Sequence, residues 1–295
     1  MISVFLISCT LPAISYHIVR CRGNQVALLL QDLDQLSSVP YEKKICLLMI
    51  IICCMPFLYS IIVTTLYITK TDTKDLIYGY DVGSSPLKTF VLGLKFFLYF
   101  FLHPTLNNLL ALLYCTICMR CCSLIRNLKA EVMQCTFERF TPLKQIDIIN
   151  RKEKVDSVLE SFERIFSLPS FLMTVTNILS CGSVLGSTII DNDLQFHILA
   201  QWMFHTTNIF GCLLTTFWIA GSIPIELKEF KDAYYRKACL RMLKARIPEE
   251  SRLERWVFDT PDFVLTGFGV FSYTRSSLLA VVGALLTYTM LAINK

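Results

Sequence analysis

The chain has 295 residues, of which 54% are hydrophobic and only 17% are charged, and its mean hydropathy is +0.53. Charged residues make up roughly a quarter of soluble domains, so this composition excludes an ordinary soluble fold. The net charge of +5 would suit nucleic-acid binding in a soluble protein. Here, however, the basic residues lie between long apolar runs, so we predict a membrane protein with no nucleic-acid partner.

Six apolar runs follow one another along the chain, each long enough to cross a bilayer. They lie at about 2–19, 45–69, 89–119, 165–190, 196–223 and 263–293. The runs are too long for barrel strands and show no strict alternation. The sequence therefore predicts an all-α polytopic helical membrane protein, with one domain over 1–295.

The segments between the runs differ in charge. Basic residues concentrate in the segments 20–44, 120–164 and 228–255. In contrast, the segment 190–194 has no basic residue, and in 71–87 three aspartates outnumber a single lysine. The positive-inside rule then places the three basic segments in the cytoplasm. Six spans put both chain ends outside, in what we take to be the plasma membrane.

The first apolar run begins at the first residue of the chain. No basic segment precedes it, and Arg20 and Arg22 follow it at once, so a cleaved signal peptide is not favoured. We expect an upstream helix to be missing. Its addition would give seven spans, with the N-terminus inside and the C-terminus outside.

Two of the predicted cytoplasmic segments, 120–164 and 225–262, mix charged and apolar residues. We predict that they continue the membrane helices as cytoplasmic helical extensions. Such helices could pack together or against another subunit. The alternative is a solvated connection that lies on the lipid surface.

Candidate chemical groups are sparse. Four cysteines at the inner end of the third run suggest zinc by spacing, but no second ligand cluster is near, and packing is the preferred interpretation. Acylation of Cys121 and Cys122 is a further hypothesis. The histidines form no metal cluster, and no catalytic triad or carboxylate pair converges, so we predict no metal, no cofactor and no enzyme.

The final run carries its small, aromatic and polar residues in a specific order. These are Gly267-Phe-Gly-Val-Phe271, Ser277-Leu-Leu279, Gly283 and Thr287-Tyr288. The set resembles the C-terminal signature of arthropod gustatory receptors, in which Thr-Tyr is followed by five mostly hydrophobic residues and then Gln-Phe. Here Asn294 replaces the glutamine and Lys295 replaces the phenylalanine. The resemblance covers the whole chain, with the first of seven helices absent.

The resemblance implies a seven-helix chemoreceptor fold of inverted topology. It also implies a ligand-gated, non-selective cation channel in taste perception, built as a homotetramer or as a heterotetramer with other chemoreceptor subunits. The partners would be a small-molecule tastant, the permeating cations and the lipid bilayer. The last helix would line the pore, and the segments 120–164 and 225–262 would form an anchor between subunits.

The pore would then fall at the end of the chain. Thr287, Met290, Leu291 and Asn294 share one helical face by three- and four-residue spacing. Such a polar, apolar and polar stripe could form a wet vestibule that a hydrophobic gate interrupts. The alternative is that the same stripe buries Thr287 and Asn294 against neighbouring helices.

Ligand contacts are expected in the outer halves of the spans, where aromatic walls meet a few polar groups. The candidates are Thr64, Tyr67, Phe96, Tyr99, Phe100, His103, Gln201, Trp202 and His205. The ligand would be a sugar or a bitter organic compound. The alternative roles are aromatic belts at the membrane interface and histidines that are hydrogen-bonded to a neighbour.

A secondary transporter of a small solute is the main rival function. Lys95, His103, His205 and Arg275 could mark a solute or proton route, because charges inside a membrane are costly unless they are paired or hydrated. Against this, the sequence shows no inverted repeat. Lys95 can also extend to the membrane surface, and Arg275 lies near the predicted cytoplasmic end of its span.

Overall fold

The computed structural model describes residues 2–36, 42–70, 85–190, 196–245 and 263–293. Helices dominate these ranges, and the all-α prediction is confirmed. The elements are α1 (Ile2–Cys21), α2 (Gly23–Leu36), α3 (Glu42–Lys70), α4 (Ser85–Phe100), a π turn (Phe101–Thr105), α5 (Leu106–Gln134), α6 (Pro142–Ile190), α7 (Phe196–Ala220), α8 (Ser222–Ala245), strands β1 (Thr266–Gly267) and β2 (Phe271–Ser272), and α9 (Arg275–Ile293).

Five of the six apolar runs lie on helices, and the sixth is helical from Arg275 onward. Within the described ranges, four helical stretches are long and apolar enough to cross a membrane, and α9 contains a shorter apolar stretch, Arg275–Tyr288. The four are Lys43–Ile68, Pro86–Gln134, Pro142–Gly186 and Met203–Arg241. The π turn makes α4 and α5 continuous, and α7 and α8 meet at Gly221.

The longest helices reach well beyond one face of the membrane. Helix α6 has 49 residues, which at 1.5 Å per residue is about 74 Å, against roughly 30 Å for the hydrocarbon core. Its first half and the ends of α5 and α8 therefore project together from one side. We call this the basic side, because it carries the basic segments that predict the cytoplasm, and we call the other the opposite side.

The basic side holds the main core. Helix α5 lies along α8 and also contacts α6, and α1 lies along α6. Large aromatic side chains fill the space between them, including Tyr114, Phe162 and Tyr234, each almost fully buried. The rings of Tyr114 and Phe162 lie 4.9 Å apart. Burial of such large rings is a major source of stability in a helical bundle.

Ion pairs surround this core. Arg126 and Lys129 on α5 contact Glu226 on α8 at 2.6 and 3.2 Å, and Arg151 on α6 contacts Glu131 on α5 at 2.6 Å. The charges that make these segments hydrophilic therefore also join the helices to one another. Whether this region anchors one subunit to the next stays a prediction.

The turn of α6 before Pro169 receives a side chain from the connection between α1 and α2. Pro169 has no N–H to donate to the carbonyl of Ile165, four residues earlier. Arg22, between α1 and α2, donates to that carbonyl at 2.8 Å and to the carbonyl of Arg164 at 3.0 Å. The sequence indicated Arg22 only as a signal of membrane topology. In the structure, its guanidinium satisfies the carbonyl of Ile165 that Pro169 leaves without a backbone donor.

The cysteines of α5 are packing residues. Cys115, Cys118, Cys121 and Cys122 are all buried among apolar side chains, as the packing interpretation predicts. The acylation hypothesis for Cys121 and Cys122 is wrong for this fold, because their side chains are only 0% and 4% exposed. An acyltransferase could not reach either thiol without opening the core.

Two sequence expectations need correction. The last helix begins at Arg275 rather than near residue 263, because a hairpin occupies 266–272 and Thr274 then caps the helix by accepting from the N–H of Ser277 at 3.2 Å. The second correction is α2, which lies in a segment taken only as a basic loop. Its buried residues Val26, Leu29 and Leu33 follow helical spacing.

Candidate functional site

Most of the predicted ligand contacts come together on the opposite side of the membrane. Tyr67 of α3 stacks on Phe96 of α4, with ring centroids 5.3 Å apart, and Phe100 meets Phe204 of α7 at 5.7 Å. We call this group the aromatic cluster. It comprises Tyr59, Thr64, Tyr67, Phe96, Tyr99, Phe100, His103, Phe204 and His205.

Two histidines connect the cluster to the rest of the bundle. The rings of His103 and His205 lie 5.6 Å apart, and Tyr99 meets His205 at 5.2 Å. The Nε2 atom of His103 lies 3.2 Å from the hydroxyl of Ser180 on α6. Four helical segments, α3, α4 with its π turn, α6 and α7, therefore meet around these side chains.

The π turn determines where His103 points. Pro104 cannot donate to the carbonyl of Phe100, and the hydroxyl of Thr105 donates to it instead at 3.0 Å. The extra residue of a π turn rotates the side chains that follow it relative to a regular helix, and such turns are frequent at functional sites. Here the result is a buried His103 that faces α6 and α7.

Two polar atoms of the cluster are buried without a hydrogen-bond partner in the described part of the chain. They are the hydroxyl oxygen of Thr64 and the Nε2 atom of His205, whose residues are only 6% and 3% exposed. A buried polar group without a partner costs roughly 1–3 kcal/mol. Their burial without partners makes these two atoms candidates for a hydrogen bond to a bound molecule.

The cavity beside the cluster is small. It holds about 150 Å³ and lies between Met55, Phe100, Pro104 and Phe204. Ligand sites usually measure about 300–1,000 Å³, so a bound molecule would have to displace some of these rings. A larger opening adjoins it on the basic side of Tyr59 and Phe204.

The sequence did not predict Tyr59 and Phe204, whose rings stack with centroids 3.4 Å apart. Helical spacing could have indicated Tyr59, since it lies two turns before Tyr67 on the same face of α3. Phe204 directly precedes His205. The side chains of Gln201 and Trp202 lie outside the described residues, so their predicted role stays a prediction.

The last helix packs through a narrow face. Leu278 is buried and Leu285 is half-buried, whereas Thr287 lies on the other side of the helix and is exposed. Met290 is 65% exposed, and the hydroxyl of Thr287 donates to the carbonyl of Gly283 at 2.9 Å. The side chain of Leu291 and all of Asn294 lie outside the described residues, so the pore face stays a prediction.

The hairpin before α9 is attached to α6. The carboxylate of Glu163 accepts from the backbone N–H of Thr266 at 3.1 Å, and the hydroxyl of Ser167 accepts from the N–H of Phe268 at 2.8 Å. The ring of Phe271 stacks on Phe171 at 5.7 Å. The start of α9 is therefore attached to α6 through both polar and aromatic contacts.

Two glycines of the C-terminal motif have different surroundings. A Cβ on Gly267 would lie 3.0 Å from the hydroxyl of Tyr273 and 3.3 Å from the Cα of Phe171, so both contacts would be tight and the neighbours would have to shift. A Cβ on Gly283 would meet no atom within 4 Å, and Tyr288 is 52% exposed. Close packing explains Gly267, and among the described residues no contact explains Gly283.

No protein-family model and no curated protein matches the chain. Two solved structures of the insect olfactory receptor OR5 from Machilis hrabei do match. The structure of OR5 in complex with eugenol has a TM-score of 0.68 at 16% sequence identity. The match covers 99% of this chain and 79% of the OR5 chain. The second OR5 structure has a TM-score of 0.65 at 15% identity, and the match covers 98% of this chain and 78% of that one. The chain has the fold of an insect olfactory receptor.

This fold confirms the prediction of a polytopic helical membrane protein, and both solved structures are receptors rather than enzymes. It also agrees with the chemoreceptor resemblance drawn from the C-terminal motif. Sequence identity of 15–16% is too low to transfer individual site residues. Their roles must be argued from the geometry of this chain.

Proposed function

We propose that the chain is a chemosensory receptor subunit of the gustatory type, in which a small organic molecule opens a path for cations. The observation that carries the proposal is the aromatic cluster, where Thr64 and His205 hold buried polar atoms without partners in the described ranges. Such a site offers apolar surface and a few directional polar groups, as small-molecule pockets do. The fold shared with OR5 supports the same function.

The composition of the cluster favours one of the two ligand classes. Rings of phenylalanine, tyrosine and histidine dominate its walls, and few hydrogen-bonding atoms face inward. A sugar would need many more donors and acceptors to replace its hydration. We therefore propose a weakly polar ring compound of the bitter type rather than a sugar.

Binding at the cluster can reach the last helix through α7. Helix α7 carries Phe204 and His205 near one end, and it contacts α9 and α6. In the proposal, four subunits associate in the plasma membrane through the basic-side extensions of 120–164 and 225–262. Their α9 helices then line a central pore with Thr287, Met290, Leu291 and Asn294, and the C-terminus is extracellular.

The test is whole-cell current from cells that express the chain, with and without an added upstream helix, during application of bitter compounds and sugars. The proposal predicts a cation current that bitter compounds evoke. Solute flux without conductance, despite surface delivery, would contradict the proposal and favour the transporter.

A matched pair of threonines tests the site itself. Thr64→Val removes the buried hydroxyl, whereas Thr65→Val removes a neighbouring exposed hydroxyl that donates to the carbonyl of Ile61 at 2.8 Å. We expect Thr64→Val to raise the half-activating ligand concentration roughly fivefold or more, with unchanged surface abundance. Equal effects of the two variants would place Thr64 outside the ligand site.

A further inference from the structure

A second cavity lies on the basic side of the aromatic cluster. It is a groove of about 780 Å³, with α5 as its floor and α3 and α7 as its walls. Ala111 and Cys115 of the floor are buried, whereas Leu48 and Met119 at its rim are 45% and 42% exposed. We call it the basal groove. It opens outward between helices that cross the membrane, so its natural occupant comes from the bilayer.

The basal groove borders the small cavity beside the aromatic cluster, and both are lined by Ile52, Met55 and Phe204. At this end of the groove, the ring of Tyr59 on α3 stacks on Phe204 of α7. Toward the basic side, Leu48 on α3 and Gly211 and Thr215 on α7 line the groove. Gly211 widens the groove, because a Cβ there would meet no atom within 4 Å.

The polar residues of the groove mostly bond to their own protein. The hydroxyls of Thr207 and Thr215 donate to the carbonyls of Met203 and Gly211 at 2.7 and 2.6 Å. These bonds leave little hydrogen-bonding capacity for an occupant, and the rest of the lining is largely aliphatic. A hydrocarbon chain fits such walls better than a polar molecule does.

The amide side chains of the groove are also bonded. Asn208 donates to the carbonyl of Phe204 at 3.0 Å, and Asn108 donates to the side-chain oxygen of Asn208 at 3.2 Å. This pair lies near the Tyr59–Phe204 end of the groove and joins α5 to α7. The amides are therefore bonded to each other, and the lining toward the basic side is mainly apolar.

Two cations lie beyond the open end of the groove, on two of the helices that line it. Lys44 lies one turn before Leu48 on α3, and Arg126 lies two turns after Met119 on α5. Arg126 contacts Glu226 at 2.6 Å, but its side chain is 59% exposed, so donors of the guanidinium remain accessible. An apolar groove that ends at surface cations is complementary to a phospholipid with an anionic headgroup.

We propose that the basal groove binds one acyl chain of an anionic phospholipid from the leaflet on the basic side, with the headgroup against Lys44 and Arg126. The bound chain fills the space between α3 and α7 and thereby sets how closely Tyr59 approaches Phe204. This site borders the proposed ligand site at Tyr59 and Phe204, and it differs from that site in the rest of its lining and in the class of molecule that it binds. It does not depend on the receptor function.

The first test fills the groove. Gly211→Leu places a side chain in the groove at a position where a Cβ meets nothing within 4 Å, and Gly182→Leu on α6 is the matched control, since a Cβ there also meets nothing within 4 Å. The full chain is placed in lipid nanodiscs with a phosphatidylserine that carries a photoreactive acyl chain, and the labelled peptides are identified by mass spectrometry. We expect label on the α5 and α7 segments of the groove in the wild type and in Gly182→Leu, and its loss in Gly211→Leu.

Unchanged labelling in Gly211→Leu, or labelling of the exposed face of α3 equal to that of the groove, would overturn the proposal. The elution profile of each variant on size exclusion shows whether it is folded. If Gly211→Leu is misfolded, Gly211→Val in the same assay is the second variant.

The second test concerns the headgroup. We compare phosphatidylserine and phosphatidylcholine probes on the wild type and on Lys44→Gln and Arg126→Gln. We expect a preference for phosphatidylserine that falls by about fivefold for each cation removed. Equal labelling by both lipids in the wild type would reject the anionic headgroup, and displacement by a sterol but not by phosphatidylserine would reject the phospholipid.

Discussion

Helix α3 and the continuous helix formed by α4 and α5 are both long and apolar enough to cross a membrane, but they differ in how much of their surface is buried within the chain. Only 11% of the apolar stretch of α3 is buried within the chain, against 61% for that of α4 and α5. The exposed side of α3 carries aliphatic residues such as Ile61, which suit lipid, whereas α5 presents aromatic and small residues to its neighbours. The internal helices therefore hold the fold together, and α3 forms part of its boundary with lipid.

Helix α9 is also exposed, but its surface differs from that of α3. It exposes Thr287, Tyr288 and Gly283 beside Leu286 and Met290. Polar side chains within a membrane segment generally face protein or water rather than lipid. In the proposed function, this face of α9 contacts other subunits or a wet path, and the aliphatic face of α3 contacts lipid.

The largest expected loss of stability is that of a core variant, compared with a variant at the lipid boundary. Phe162→Ala removes a fully buried ring that lies 4.9 Å from Tyr114 and 5.1 Å from Phe166, and it should lower the free energy of unfolding by about 3–5 kcal/mol. The control is Phe90→Ala, because Phe90 is 65% exposed on α4. Thermal melting of the detergent-purified proteins compares them, and a similar loss in both would contradict the assignment of the core.

A smaller effect should distinguish two glycines of the same motif. Gly267→Ala places a Cβ 3.0 Å from the hydroxyl of Tyr273, so we expect a loss of about 1–3 kcal/mol from overpacking. Gly283→Ala meets open space and should leave the melting temperature unchanged. A stable Gly267→Ala variant would show that the hairpin is not held tightly against α6.

The bonds from Arg22 to the carbonyls of α6 should contribute a comparable or smaller amount of stability. Arg22→Gln removes the bonds to the carbonyls of Ile165 and Arg164, and we expect a loss of about 1–2 kcal/mol in melting experiments. Arg20→Gln removes a nearby exposed cation of the same charge. If both variants lost equal stability, the effect would come from charge rather than from the carbonyl bonds.

Hydrophobic run length identified the membrane helices, because the need to cross a bilayer fixes the length and the apolar character of a span. It did not indicate α2, whose three buried residues carry too weak a signal within a basic segment. Nor did it indicate the hairpin before α9, since Phe268 and Val270 extend the apolar run although Phe268 and Gly269 have positive φ angles. Local turn geometry is not contained in hydropathy.

The candidate ligand site was predictable only in part. Topology placed Tyr67, Phe100 and His205 at the same depth, and the fold brings them together. The stack of Tyr59 on Phe204 depends on how α3 crosses α7, which a single sequence does not specify. The unpartnered atoms of Thr64 and His205 likewise arise only from tertiary packing.

The most direct test of the central claim is thiol modification of the last helix during ligand-evoked current. Thr287→Cys and the lipid-facing control Ile61→Cys, which replaces a residue 64% exposed on α3, are compared with the wild type during application of a charged, membrane-impermeant thiol reagent. The account predicts that the reagent blocks the current of Thr287→Cys alone. Full current through modified Thr287→Cys, with labelling confirmed, would contradict a pore along α9.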